Sequence, residues 1–175
     1  MRRLLVLMLI AVLPCPVLVA QAPSVPEKSA PATDTQKPVS PAILEREFFA
    51  VIRNGDALKF LSYVPEDGVH LGRYADHTTR AEIEDQLTHR TGLYCKLFDT
   101  ACIEPDKKAS AKPCSYRELL TQSEKVRTAS TETTRNNVRQ AILVAEVHNQ
   151  NCAGAGLIDF IFNYQQGGWK LFSIP

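Results

Sequence analysis

Alternating apolar and polar positions near the end of the chain predict three consecutive β-strands. The first covers residues 138–148, the second 157–164 and the third 169–174. Each run is rich in β-branched and aromatic residues, and the segments between them are rich in asparagine, glutamine and glycine, which favour turns. We therefore expect antiparallel strands joined by short connections in this part of the chain.

Apolar residues at helical spacing predict three helices in the first half of the chain. The first covers 40–55, with serine and proline at its start and asparagine and glycine at its end. A shorter second helix covers 56–65, capped by an aspartate and stopped by a proline. The third begins near Arg80, where a threonine followed by a glutamate three residues later forms a capping box. It ends near Gly92 or continues through 93–98.

The segments between the predicted helices and the last three strands have a less regular hydrophobic pattern. Residues 69–72 fit a short strand, and 99–113 fit a loop that carries three lysines. The segments 114–120 and 125–134 can each form a strand. The second of these is rich in threonine and charged residues, so we expect it to be exposed or at the edge of the sheet.

Length and charge limit the classes of protein to consider. The chain has 175 residues, of which 45% are hydrophobic, which is enough for one ordinary domain with a core. Its formal net charge is only +1, so no overall field attracts it to nucleic acid or to an anionic membrane. We expect no nucleic-acid partner.

The N-terminal segment predicts export. Residues 1–22 have the basic start, apolar stretch and small-residue cleavage site of a signal peptide. Residues 23–39 form a proline-rich linker with little to bury, which predicts disorder, and 40–175 form a single domain. We expect a periplasmic or secreted protein that meets a membrane only through its uncleaved signal peptide. Lipid attachment at Cys15 is a weaker alternative, because a proline directly precedes it.

The order of predicted elements resembles the NTF2-like superfamily, also described as SnoaL-like or as a cystatin-like cone. The resemblance covers about 41–175, and its motifs are the junction 54–56, the turn 65–69 and the terminal strand around 168–171. It implies an α+β fold in which N-terminal helices pack on a curved, mainly antiparallel sheet and enclose a pocket. The long region 95–114 departs from a minimal member of that superfamily. Because the superfamily includes enzymes, binding modules and structural domains, the fold does not select a function.

Four cysteines remain once the signal peptide is removed, and an even number in an exported domain predicts two disulfides. The pairing stays open among the three combinations. In a continuous helix the first two would be about 10 Å apart and too far to bond. Zinc is the less favoured alternative, since no C-x-x-C motif is present, and we expect no metal site. The four residues are Cys95, Cys102, Cys114 and Cys152.

Asp159 is the strongest candidate for chemistry, because a carboxylate in the middle of an apolar strand is costly to bury without a partner. Strand alternation places it on one face with Ile161 and Asn163. If that face lines a pocket, burial would raise the pKa of Asp159 toward that of a useful general base. Glu146 and His148 lie on one face of the preceding strand and are candidates to join it. The alternative is a solvent-facing or purely structural role for all of them.

Two functions fit these observations. The first is an exported, non-catalytic domain that binds a small apolar ligand or a protein partner. The second is a cofactor-independent isomerase, dehydratase or hydrolase that uses a strand carboxylate as general base. The chain has no P-loop, dinucleotide fingerprint, nucleophile elbow or H-E-x-x-H motif, so we expect no cofactor. A homodimer through the sheet is a further option.

Overall fold

The computed structural model describes residues 39–72, 76–104, 111–153 and 155–175, with the side chain of Ala153 excepted. The predicted signal peptide, nearly all of the predicted linker, and Lys107 and Lys108 of the predicted loop lie outside the described residues. Within these ranges, no helix combines the length and the apolar character needed to cross a membrane.

The described residues form five helices and eight strands. The helices are α1 (Pro41–Asn54), α2 (Ala57–Tyr63), α3 (Arg80–His89), α4 (Leu93–Phe98) and α5 (Tyr116–Gln122), with a short 3₁₀ turn at Thr100–Cys102. The strands are β1 (Val69–Leu71), β2 (His77–Thr78), β3 (Lys112–Pro113), β4 (Lys125–Arg135), β5 (Val138–His148), β6 (Cys152–Ala153), β7 (Gly156–Gln165) and β8 (Gly168–Ile174).

Six strands form the main sheet in the order β2-β1-β8-β7-β5-β4, and β3 pairs with β6 in a separate two-stranded sheet. In the main sheet only the pairing of β1 with β8 is parallel. The two long hairpins turn at Asn136-Asn137 and at Gln166-Gly167, where all four residues have positive φ. That conformation matches the right-handed twist of the flanking strands. The predicted α+β architecture, with a mainly antiparallel sheet, is confirmed.

The predicted helix starts are also confirmed, and the caps of α2 and α3 form their hydrogen bonds, whereas the Ser40 side chain makes no cap bond at the start of α1. The Asp56 carboxylate accepts a hydrogen bond from the Lys59 amide at 2.9 Å and begins α2. Thr79 and Glu82 form the reciprocal capping box of α3. The third helix does not continue through 93–98, because the chain reverses after His89 and Leu93 starts the separate helix α4.

The strand predicted over 114–120 is wrong, because this segment forms α5. The Ser115 side chain accepts a hydrogen bond from the Glu118 amide, which is the bond of a helix N-cap. Tyr116, Leu119 and Leu120 then fall three and four residues apart on one buried face. The apolar content of this segment alone fits a strand, but the serine cap and the helical spacing both favour a helix.

Aromatic side chains fill the space between the helices and the sheet. Phe48 of α1 is fully buried, and its ring centroid lies 4.9 Å from those of both Phe160 and Phe162 of β7. Phe60 and Tyr63 of α2 complete the cluster at 6.0 and 5.4 Å from Phe48. The interior of the predicted cone is therefore packed with side chains at its centre.

Replacing Gly68 with alanine should destabilise the domain strongly. Gly68 has φ +94°, and an added Cβ would lie 2.1 Å from the carbonyl oxygen of Thr78 in β2. Gly167→Ala is the matched control, since Gly167 also has a positive φ but open space around it. We expect Gly167→Ala to lower the free energy of unfolding by about 1 kcal/mol through backbone strain. Gly68→Ala should lower it by at least about 1 kcal/mol more. Urea unfolding of both variants measures the two losses. Equal costs would show that the contact with Thr78 relaxes freely.

Candidate functional site

Asp159, Ile161 and Asn163 lie together on the face of the sheet that points away from the helices. With His70 and Phe172 they line a groove of about 790 Å³, which we call the outer groove. Each of the three predicted residues is half-buried. The side-chain oxygen of Asn163 already has a hydrogen-bond partner, because Gln140 Nε2 donates to Asn163 Oδ1 at 2.9 Å. The three residues share one face, and this face forms a groove on the surface of the sheet instead of lining the space between the sheet and the helices.

The other two candidate catalytic residues share this face without joining Asp159. Asp159 pairs with Val144, so Glu146 lies two residues and His148 four residues further along β5. At about 3.4 Å per residue, these offsets are about 7 and 14 Å along the strand. Both side chains are exposed, and the Glu146 carboxylate lies 4.0 Å from Arg127 of β4. The structure thus spreads the three groups along the sheet.

The four cysteines form two disulfides, as predicted, with the pairs Cys95–Cys102 and Cys114–Cys152. The first pair has a Cα–Cα distance of only 5.4 Å. The distance calculated for a continuous helix does not apply, because α4 ends at Phe98. Asp99 is extended there and caps the 3₁₀ turn by accepting a hydrogen bond from the Ala101 amide.

Both disulfides border a second cavity, which lies at the end of the cone and not at its centre. We call it the disulfide cavity. It has a volume of about 730 Å³, is partly open to solvent, and is bordered by α4, the 3₁₀ turn, α5 and β7. Its apolar walls are formed by Cys95, Cys102, Ile103, Cys114, Leu119 and Ile158. The polar side chains at its border are Lys96, Glu104 and Tyr116.

A glycine and a glutamine position α4 at the border of the cavity. Gly92 has φ +46° and allows the chain to turn sharply between α3 and α4. The Gln86 side chain of α3 then accepts a hydrogen bond from the Leu93 amide at 2.7 Å, which satisfies a free donor at the start of α4. An added Cβ at Gly92 would lie 2.5 Å from the same Gln86 oxygen. These contacts fix the direction in which α4 presents its side chains.

Lys96 and Tyr116 meet at one oxygen atom at the mouth of the disulfide cavity. The ammonium of Lys96 and the hydroxyl of Tyr116 both donate hydrogen bonds to the main-chain oxygen of Pro175. Lys96 Nζ also lies 5.7 Å from the centre of the Tyr116 ring. Lys96 as a whole residue is exposed, but its ammonium end lies against these groups, and the partial loss of water there lowers the pKa of Lys96. Burial, together with the charge of Asp159, raises the pKa of Tyr116, so its hydroxyl remains a donor.

Ion-pair and hydroxyl contacts hold α5 against the 3₁₀ turn behind the cavity. The Glu118 carboxylate accepts hydrogen bonds from the Lys112 ammonium at 2.6 Å and from the Thr100 hydroxyl, and these bonds lower the pKa of Glu118. Glu118 also lies near Cys114 and Cys152, with three candidate ligand atoms within 4.8 Å of one another. Both sulfurs are already bonded to each other, so this group offers no thiolate to a metal.

Sequence reasoning did not identify Lys96 or the disulfide cavity. One signal was present: Lys96 interrupts the apolar run 93–98, as Asp159 interrupts the apolar strand 157–164. Tyr116 gave no comparable signal, because its segment was assigned to a strand. The pairing of the cysteines, which joins α4 to the 3₁₀ turn and β6 to the segment before α5, was needed to place these residues around one cavity.

No protein-family model matches the chain, and a search of curated proteins also found no match. Among solved structures, the chain is similar to the designed protein "Rd1NTF2_04 with long sheet", at 11% identity and a TM-score of 0.40 over 77% of this chain and 97% of that one. It is also similar to an NTF2-like protein with a cystatin-like fold from Novosphingobium aromaticivorans, at 16% identity and a TM-score of 0.35 over 73% and 75% of the two chains.

Proposed function

We propose that this protein is an exported, non-catalytic domain that binds a small, largely apolar ligand in the disulfide cavity. The observation that carries the proposal is the cavity itself, with about 730 Å³ bordered largely by apolar side chains and disulfide sulfurs. Binding sites for small molecules have volumes of roughly 300–1,000 Å³, mostly apolar walls and a few polar groups that orient the ligand. The disulfide cavity has each of these properties.

The packing of the core supports this cavity over the centre of the cone. Phe48, Phe160 and Phe162 occupy the space between α1 and the sheet and leave a ligand little room there. The two disulfides hold the opposite end open by linking α4 to the 3₁₀ turn, and β6 to the residue before the cap of α5. A cavity held by covalent bonds keeps its shape when empty, which reduces the entropy lost on binding.

The arrangement of the candidate acids favours binding over catalysis. A general base must lie within hydrogen-bond reach of its partner or of a water between them. Along the strand direction, Asp159 is offset by about 7 Å from Glu146 and by about 14 Å from His148. The three groups therefore do not share one site. Two disulfides also fit an oxidising compartment, which supports the exported location.

A neutral fluorescent probe tests the proposal. We expect N-phenyl-1-naphthylamine to bind with one-to-one saturation, with increased emission. Ile103→Trp, which adds bulk to the cavity wall, should weaken this binding about tenfold, since overpacking typically costs 1–3 kcal/mol. Ile43→Trp is the matched control, because Ile43 is exposed on α1 and away from the cavity. Its affinity should equal that of the unmodified protein.

The same titration has two outcomes that would contradict the proposal. Without saturable binding of any apolar probe, the cavity would not be a binding site. If Ile103→Trp and Ile43→Trp bound the probe equally well, binding would occur elsewhere, and the outer groove would become the site to test.

A further inference from the structure

Two histidines face each other on neighbouring strands at the edge of the main sheet. His70 of β1 and His77 of β2 are paired directly in the antiparallel ladder, and their ring centroids are 5.3 Å apart. At the next position the Leu71 amide donates a hydrogen bond to the Asp76 carbonyl at 3.2 Å. Because bonded and non-bonded pairs alternate along such a ladder, the histidines form a non-hydrogen-bonded pair, in which side chains approach most closely.

The spacing of the two rings fits a shared metal ion. When two imidazole nitrogens bind one tetrahedral Zn²⁺ at about 2.1 Å each, the centres of the two rings lie about 5 Å apart. The observed centroid distance of 5.3 Å therefore needs little movement of either strand. Imidazole is also a ligand that suits Zn²⁺, Ni²⁺ and Cu²⁺.

The surroundings of the pair restrict one ring and favour a cation. His70 is half-buried, and the Phe172 ring of β8 lies 5.0 Å from its ring, whereas His77 is exposed to solvent. Hydrogen bonds from Thr79 lower the pKa of Glu82, and the charge of nearby His77 lowers it further. Glu82 is thus a negative charge close to His77, and it favours a cation there.

The pair would leave part of the coordination shell of a metal ion open. Within the described ranges, no third histidine, cysteine or carboxylate joins the two histidines as a ligand. The missing C-x-x-C motif argues only against a thiolate site, since a histidine pair across two strands has no sequence motif. The free positions of the ion would take water or a small molecule from the outer groove, which His70 also lines.

We infer that His70 and His77 together bind one divalent transition-metal ion, with Zn²⁺ as the representative case. The inference is independent of the proposed function, because neither histidine lines the disulfide cavity. In the usual order of affinities Cu²⁺ binds more tightly than Zn²⁺. Mg²⁺ should not bind, because it takes oxygen ligands.

Calorimetric titration of the untagged mature protein, with its disulfides intact, tests the inference. We expect Zn²⁺ to bind with one-to-one stoichiometry and Mg²⁺ to give no binding at the same concentrations. Nuclear magnetic resonance of the protein with ¹⁵N-labelled histidine rings reports the ligands directly. The ring nitrogens of His70 and His77 should shift together as Zn²⁺ is added, and those of the other two histidines should not.

Substitutions assign the ion to this pair. His77→Gln, at an exposed position, and His70→Gln should each weaken Zn²⁺ binding at least about tenfold, since loss of a mere outer-shell partner already costs 10–100-fold. The double variant should bind little more weakly than either single one, because a lone imidazole forms no chelate. His148→Gln and His89→Gln are the matched controls at exposed positions, and both should keep the full affinity. The second control also covers the contact of His89 with Asp85.

Three results would overturn the inference. Without saturable Zn²⁺ binding below about 1 mM, the two histidines would make a ring contact only. Unchanged affinity in His77→Gln would place the ion elsewhere, and a loss confined to His89→Gln would place it beside Asp85. None of these results affects the disulfide cavity, whose test is the binding of N-phenyl-1-naphthylamine.

Discussion

Phe48→Ala should lower the free energy of unfolding by about 4 kcal/mol, within the usual range of 3–5 kcal/mol for loss of a buried phenylalanine ring. Phe48 is fully buried at the centre of the aromatic cluster, with ring centroids of Phe160 and Phe162 both at 4.9 Å. Its removal leaves a hole bordered by both α2 and β7, which cannot close without moving the helices away from the sheet. Urea unfolding followed by far-ultraviolet circular dichroism measures the loss.

The control for this substitution is Phe172→Ala, which removes the same ring from a position that is 37% exposed. The Phe172 ring contacts His70 at the border of the outer groove, with a centroid distance of 5.0 Å. We expect its loss to cost less than about 1 kcal/mol. If the two substitutions cost the same, Phe48 would not be the centre of the core.

Removing the two disulfides separately should give unequal losses of stability. Cys114 and Cys152 are 38 residues apart in sequence, and Cys95 and Cys102 only 7. In the chain-entropy description, closure of the longer loop contributes about 4 kcal/mol and closure of the shorter loop about 2 kcal/mol. Each pair is replaced by alanines, and urea unfolding of the two double variants is compared under non-reducing conditions.

The order of the two losses is the informative result. A larger loss on removal of Cys95–Cys102 would mean that this bond contributes mainly by holding the folded 3₁₀ turn and not by restricting the unfolded chain. Binding of N-phenyl-1-naphthylamine to the same variants, at a temperature where both are folded, separates the effect on the cavity from the effect on stability. The prediction concerns stability alone.

The strands of the second half were predictable because their pattern and their turns agree. Alternation placed Ile158, Phe160 and Phe162 on one face, and the structure buries all three. Asn136, Asn137 and Gly167 are of the residue types that tolerate positive φ in hairpin turns, so much of the register follows from local sequence. The capping box of α3 was predictable because it also depends on local sequence, with its two residues only three positions apart.

The disulfide cavity could not be predicted, because it depends on contacts between distant parts of the chain. Cys114 meets Cys152 from 38 residues away, and Lys96 meets Pro175 from 79 residues away. Alternation alone told which residues share a face with Asp159, but not that this face lies opposite the helices. The α5 segment was misassigned because its apolar content was weighed without the cap at Ser115.

The free edge of β4 has a consequence for crowded solutions. Among the described residues the outer edge of β4 pairs with no further strand, and such an edge of 11 residues invites a second molecule to extend the sheet. Two copies meeting antiparallel about Ser130 would set Lys125 opposite Arg135, and two copies meeting parallel and in register would set every charge opposite its equal. Like charges in facing positions oppose both alignments. The charged side chains of β4 thus oppose the addition of a second molecule and discourage fibre growth at this edge of the sheet.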